Sequence, residues 1–230
     1  CLLKKFKMKI LIFDAGALIS LSMSSLIEEL RSLRKIFDGK FIITREVKGE
    51  VIDRPLTIKK FELEAMRIQQ LIDDKILEMP SAIKVDEALI SAKTYEILGV
   101  ANNLFETRKR PVHLIDLGEA SCLALSRILD EKGIDNIIAI DERTTRMLGE
   151  KPENLKKLME SKLHMPIFEK KQDYKFFKDF RFVRSTELIY VAYKKGLIRM
   201  KNKNILDALL YALKFSGTAI SDDEISEIKR

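Results

Sequence analysis

Short apolar runs rich in isoleucine punctuate the first two thirds of the chain, and three of them end in a carboxylate. Ile10-Leu11-Ile12-Phe13 ends in Asp14, His113-Leu114-Ile115 in Asp116, and Ile137-Ile138-Ala139-Ile140 in Asp141, with Glu142 next. Each run is followed by helix-like sequence, so each reads as a buried strand feeding a helix. The pattern predicts a first strand over 8–14 and a helix from Ser22 to Phe37, where Leu26, Ile27, Leu30, Leu33 and Phe37 recur at helical spacing. Asp38-Gly39-Lys40 reads as a turn and Phe41-Ile42-Ile43 as a second strand. Thr44 is the expected N-cap of Arg45–Ile52. A helix over 58–75, a short strand over 75–79 stopped by Pro80, and a long helix over 84–106 follow. Then come a helix over 117–132 closed by Gly133, a strand over 136–140 and a helix over 142–149.

Beyond Lys151 the rhythm loosens. A helix is expected over 152–163, a strand near Pro166-Ile167-Phe168, and an ambiguous Phe- and Lys-rich stretch over 164–184. Ser185 is the expected cap of Thr186–Lys195, Asn204 of Ile205–Ser216, and Ser221 of a last short helix. Strands alternating with helices imply an α/β fold with a central parallel sheet of roughly five strands flanked by helices. No repeat, low-complexity tract or linker interrupts the chain. It therefore reads as one globule: a core over 8–150 with a helical insertion near 53–112, and a basic elaboration over 151–230 packed on it. In parallel sheets ligands bind beyond the carboxyl ends of the strands, so separate stretches of chain would deliver several acids to one mouth.

Composition narrows the class. Apolar residues make up 46% of the chain, enough for a real core. No apolar run approaches the roughly 20 residues of a membrane span, so a cytoplasmic protein without membrane contact is expected. Residues 1–7 are too short and too polar for a signal peptide, and Met8 is a candidate start. Two cysteines cannot build a disulfide framework, and Cys122 reads as a small buried apolar residue. His113 and His164 show no zinc spacing. The net charge of +7 is uneven: residues 1–150 carry 24 basic and 24 acidic residues, and 151–230 carry 18 and 11. Most of the excess falls in 170–203, among Tyr174, Phe176, Phe177, Phe180, Phe182, Tyr190 and Tyr193. Such a stretch suits a phosphate backbone and stacked bases, with Lys170, Lys171, Lys175 and Lys178 as candidate contacts. A Lys-rich solvated surface over a Phe core reads equally well.

Asp14, Asp116, Glu119 and Asp141 form the candidate catalytic set. Clustered acids repel one another and are held together by a hard divalent cation, Mg²⁺ or Mn²⁺, which activates water and neutralises charge on a phosphodiester. Asp14, Asp116, Asp141 and Glu50 are the candidate ligands, with Glu46 competing for the role of Glu50. Arg146, a turn past Asp141, is a candidate phosphate contact. Arg143 reads rather as an exposed ion-pair partner of Glu142 or Glu150. Capping competes throughout. Asp116-Leu117-Gly118-Glu119 is a good capping box, and Asp14 and Asp141 suit N-caps. Recurrence at three apparent strand ends, with no basic partner in the same motif, points beyond capping.

The ordered set resembles the PIN-domain nucleases. Phe13-Asp14-Ala15-Gly16-Ala17-Leu18-Ile19-Ser20-Leu21 resembles their opening motif, and Val47-Lys48-Gly49-Glu50 their second. Asp116-Leu117-Gly118-Glu119-Ala120 resembles the third, and Ile140-Asp141-Glu142-Arg143-Thr144-Thr145-Arg146 the fourth. The likeness covers residues 8–150, and Glu187–Ile198 resembles a helix after the last strand in some prokaryotic members. It implies a Rossmann-like PIN fold and Mg²⁺- or Mn²⁺-dependent cleavage of single-stranded or structured RNA. It also implies a role as a toxin with an antitoxin partner, or a homodimer, as candidates. Two departures stand out: Ala15-Gly16 offers no hydroxyl after the first Asp, and Glu142 stands where a second Asp is common. The alternative is a PIN-like RNA-binding or scaffold protein with a weak site. A phosphate-transfer enzyme of another α/β class lacks support, since the chain has neither a paired Asp after Asp14 nor a Gly-rich phosphate loop.

Overall fold

The computed structural model describes residues 9–229 apart from Lys109 and Lys170, and only the backbone of 171–173. Met8, expected to open the first strand, lies outside the described residues. In chain order the strands are β1 (Lys9–Phe13), β2 (Gly39–Ile42), β3 (Leu77–Glu78), β4 (Phe105–Glu106), β5 (Asp135–Ala139), β6 (Phe168–Glu169) and β7 (Phe182–Val183). The helices before the middle of the chain are α1 (Ala15–Met23), α2 (Ile27–Ile36), α3 (Arg45–Lys48), α4 (Glu62–Asp73) and α5 (Glu87–Ala101). Those after it are α6 (Leu117–Glu131), α7 (Arg143–Glu150), α8 (Pro152–Leu163), α9 (Ser185–Lys194), α10 (Ile205–Phe215) and α11 (Asp222–Lys229).

Five strands form one parallel sheet in the order β3-β2-β1-β5-β7, and β4 and β6 form a separate antiparallel ribbon. In β1, Ile10, Leu11, Ile12 and Phe13 are at most 3% exposed. The continuous apolar run belongs to a strand covered by helices on both faces. Its register sets Ile12 opposite Ile42 on one side and Ile138 on the other. The chain builds outward from β1 through β2 to β3, then returns to the far side of β1 for β5. That reversal leaves a crevice between the carboxyl ends of β1 and β5, where open parallel sheets bind their ligands. Asp14 extends the pairing, its N–H donating to the Ala139 carbonyl at 3.0 Å.

Several elements differ from the pattern-based expectation. The helix expected over Ser22–Phe37 starts only at Ile27, and an unexpected helix, α1, precedes it. Ser25 adopts a left-handed φ of 59°, and Leu26 N–H returns to Leu21 O at 2.9 Å, closing α1 before α2 begins. His113-Leu114-Ile115 is not a strand. Its backbone groups go to one side chain instead: the Asn102 amide oxygen accepts from Leu114 N (2.6 Å) and Ile115 N (3.1 Å), and its nitrogen donates to Ile115 O (3.0 Å). The fifth strand of the main sheet is β7, inside the stretch that sequence left ambiguous. A boundary at residue 150 therefore cuts the sheet, and one hydrophobic core runs from Ile10 to Leu213. Among the described residues no helix is long and apolar enough to cross a membrane.

Candidate functional site

Asp14 sits at the crevice and caps α1, its Oδ2 accepting the Gly16 N–H at 3.0 Å. The side chain is 3% exposed, and Oδ1 is buried with no hydrogen-bond partner. Burial pushes its pKa up to about 7, against the pull of the Gly16 and Ala15 N–H groups, with Glu50 and then Asp141 adding repulsion. An orphaned, buried carboxylate oxygen is costly unless something cationic or protonated satisfies it.

Glu119 comes from the first turn of α6. Its Oε2 accepts the Asp116 N–H at 2.8 Å, the returning half of the capping box. Burial raises its pKa to about 8; repulsion from Asp14 adds to this, the Asp116 N–H opposes it, Glu142 adds further, and the nearby Thr145 hydroxyl opposes.

Glu50 arrives from the opposite side. Thr44 caps α3 as expected, with Oγ1 accepting Val47 N at 3.3 Å. The helix then widens into a π-turn over Gly49–Asp53, closed by Arg54 N–H to Gly49 O at 3.1 Å. Such turns recur at functional sites. Glu50 lies in this turn at the exposed rim, and its Oε1 accepts the Gly118 N–H at 3.1 Å. Burial of the carboxyl raises its pKa against that hydrogen bond, with Asp116 and Glu46 repelling it. A Cβ at residue 118 would stand 2.6 Å from Glu50 Oε1, so the contact needs glycine there. Gly118→Ala should fold, because a side-chain tip can swing away, but it should displace Glu50. Calorimetry should then read Mn²⁺ affinity weakened by about 10-fold or more, the scale of losing an outer support, with an unchanged melting temperature. Unchanged affinity would remove Glu50 from the site.

Two expected ligands are placed differently. Asp116 does not end a strand; it is exposed, and its Oδ1 meets His113 Nε2 at 2.7 Å. Asp141 lies beside Asp14, for both approach within 4.0 Å of where a Cβ on Gly16 would sit. Its carboxylate, however, is engaged elsewhere. Oδ1 accepts the Ser185 N–H at 2.8 Å, and Oδ2 accepts the hydroxyls of Ser185 (2.7 Å) and Thr218 (2.8 Å). Three of about four lone-pair directions on a carboxylate are thus committed, and the Asp141 carbonyl also accepts Ala219 N–H at 3.1 Å. Asp141 therefore ties β5 to the start of α9 and to the α10–α11 loop. Ser185 serves this network rather than capping α9, whose N-cap is Arg184. Glu142 caps α7 through Thr145 N at 2.8 Å. Among the described residues no three His, Cys, Asp or Glu side chains are gathered closely enough to hold one ion together.

The expected substrate contacts move most. Arg146 turns to the C-terminal loop, donating to Ala219 O at 3.1 Å. Its guanidinium pKa is lowered by burial and by Arg184. Lys170 and the side chain of Lys171 lie outside the described residues. Lys175 and Lys178 are exposed but sit at the amino end of the sheet, opposite the mouth. The strands are parallel and these residues immediately precede β7. Arg181 pairs with Asp135, the first residue of β5, at 2.6 Å. Phe177 and Phe180 are buried, and Arg127, late in α6, lies over the rings of Phe176 and Phe180. These aromatics fill the core and present no stacking platform.

The donor set suits a hard divalent cation: oxygens only, one of them buried and unsatisfied. Mg²⁺ needs just one or two protein carboxylates when waters and substrate phosphate complete its shell. Asp14 would hold it, with Glu119 beside it and Glu50 and Asp116 at the rim. Comparison with protein-family models, curated proteins and solved structures found no match to this chain.

Proposed function

We propose that this chain is a divalent-metal-dependent, PIN-like nuclease that hydrolyses RNA phosphodiester bonds at the crevice between β1 and β5. The observation that carries the reading is Asp14 Oδ1, buried and unpartnered at the switch point of the sheet. A bound Mg²⁺ or Mn²⁺ supplies a water of lowered pKa and neutralises charge on the phosphate. Asp14 supplies the buried anionic oxygen that fixes the position of positive charge. Glu119, whose carboxyl titrates near 8, is suited to take and return a proton at its oxygens near neutral pH. Glu50 holds the α6 N-terminus through Gly118 and keeps the rim negative. The cytoplasm is the compartment this chemistry suits.

A second reading, a PIN-like RNA-binding protein with a silent site, draws on one observation: no three acids are gathered about a point. Calorimetry separates the two. Mn²⁺ titrated into the protein at pH 7 should bind and release between about half a proton and one and a half protons: Asp14, at about 7, must ionise to accept it, and the cation also draws the proton from Glu119, at about 8. The observed heat should then vary with the ionisation enthalpy of the buffer. No binding heat in any buffer, together with no cleavage of single-stranded RNA, would favour the silent site.

A further inference from the structure

Beside the acidic mouth lies a cleft of about 960 Å³. One wall is the turn after β4, carrying Arg108, Arg110 and His113; the other is the end of α8 and the residues after it, with Met159, Leu163 and Met165. Both walls reach the site. His113 touches Asp116. Lys162, near the end of α8, donates to Thr144 Oγ1 at 2.9 Å and lies 3.7 Å from Glu142. The described residues on this side hold one another: Thr107 N–H donates to Arg110 O (2.9 Å), Arg110 N–H to Thr107 Oγ1 (3.2 Å), and Val112 N–H to Phe105 O (2.8 Å). Arg108 and Arg110 are exposed, and among the described residues neither pairs with a carboxylate. The two guanidinium groups line the cleft opposite an apolar wall and next to a negative mouth, so cations and apolar surface are offered together along one path.

We infer that this cleft binds the phosphodiester backbone of a single nucleic-acid strand and leads it to the crevice, with Arg108 and Arg110 gripping phosphates and Met159, Leu163 and Met165 covering the bases. Guanidinium forks match phosphate oxygens in pairs, and methionine adapts to bases of any identity. The cations hold the backbone where the acids of the mouth would repel it. The inference takes its ligand class from the nuclease reading. It replaces the lysines at the opposite end of the sheet as the path of substrate.

The test is strand binding in EDTA, where no cleavage occurs. Fluorescein-labelled 12-nucleotide oligouridylate, the deoxy strand of the same length and an RNA duplex are titrated across salt, by anisotropy. Arg108→Glu/Arg110→Glu should weaken binding of the single strands at least tenfold and lower the salt slope by about 1.4, the release from two single-strand phosphates at about 0.7 each. Arg108→Gln/Arg110→Gln should fall between, while Lys175→Glu/Lys178→Glu should bind as wild type. The RNA and DNA arms report whether the sugar matters. Equal affinity and slope in the arginine variants, tightest binding to the duplex, or no strand binding by wild type would each overturn the cleft. Failure of the nuclease reading shows separately, as absent Mn²⁺ heat in a protein whose strand binding still depends on both arginines.

Discussion

Asp14→Asn should reduce Mn²⁺-dependent cleavage of single-stranded RNA by about a thousandfold, equivalent to about 4 kcal/mol of transition-state stabilisation, while making the metal-free protein more stable. The second effect follows from the carboxyl's environment. Its native pKa is about 7, against about 3.9 in an unfolded chain. Between those values the native state holds a proton that the unfolded state has lost, so stability falls as pH rises through this window. Above pH 7 the buried anion is a net cost of up to a few kcal/mol, and Glu119 adds to it up to about 8. Asparagine keeps an oxygen for the Gly16 N–H but removes the charge. At pH 8 without metal the variant should therefore melt several degrees higher, since about 1 kcal/mol moves a chain of this size by 2–4 °C. At pH 5, where wild-type Asp14 is protonated in the native state, the gap should narrow to the roughly one pH unit of this window that remains below it. Saturating Mn²⁺ at pH 8 should reverse the order, because only wild type gains binding energy. Thermal melts at the two pH values, with and without Mn²⁺, check all three signs. A variant that melts no higher at pH 8, or that cleaves undiminished, would deny Asp14 its role.

Much of the sheet was legible because β1 is a nearly continuous apolar run and β2 and β5 end in one, as doubly covered strands do. The Thr44 cap and the α6 start were legible because capping chemistry is local, between residues three apart. The rest depended on partners distant in sequence. α1 escaped notice because it is buried on most sides, so its residues show no amphipathic period. The run 113–115 mimicked a strand because Asn102, more than ten residues earlier, satisfies its backbone in place of a neighbouring strand. β7 is two residues long and flanked by Arg181 and Arg184, with too few positions to declare an alternation. Asp14 and Glu119 could be singled out as acids near helix starts, and Glu50 as the acid of the motif Val47–Glu50. Their unequal environments could not, because burial and mutual repulsion arise only once four segments meet. The basic cleft was missed because Arg108 and Arg110 lie within residues 1–150, which are neutral in sum; summed charge drew attention to the last third, where lysines flank a phenylalanine core.

Asp141 provides the sharpest contrast, since the pattern that singled it out was the same as for Asp14. If it were a ligand in a self-repelling cluster, Asp141→Asn would stabilise the metal-free protein, as expected for Asp14→Asn. The geometry predicts the opposite sign. Its carboxylate accepts three hydrogen bonds from Ser185 and Thr218 in a site that is 2% exposed. An amide keeps one oxygen but turns an NH₂ group towards partners that now donate: the Ser185 N–H and two hydroxyls. The hydroxyls can rotate to accept, but the Ser185 N–H cannot. One orientation of the amide therefore leaves a buried donor facing a donor, and the other disrupts the Ser185–Thr218 contact of 2.7 Å. The expected loss is about 1–3 kcal/mol for Asp141→Asn and about 3–5 kcal/mol for Asp141→Ala, which abandons every partner. Urea unfolding in EDTA measures it, and the destabilisation should persist undiminished in Mn²⁺ and at both pH 5 and pH 8. Cleavage should fall only as far as α9 and the C-terminal loop loosen, so Asp141→Asn at low temperature should retain most of its Mn²⁺ affinity. A rise in stability on removing this charge, or complete loss of Mn²⁺ binding from a fully folded Asp141→Asn protein, would return Asp141 to the set of metal ligands.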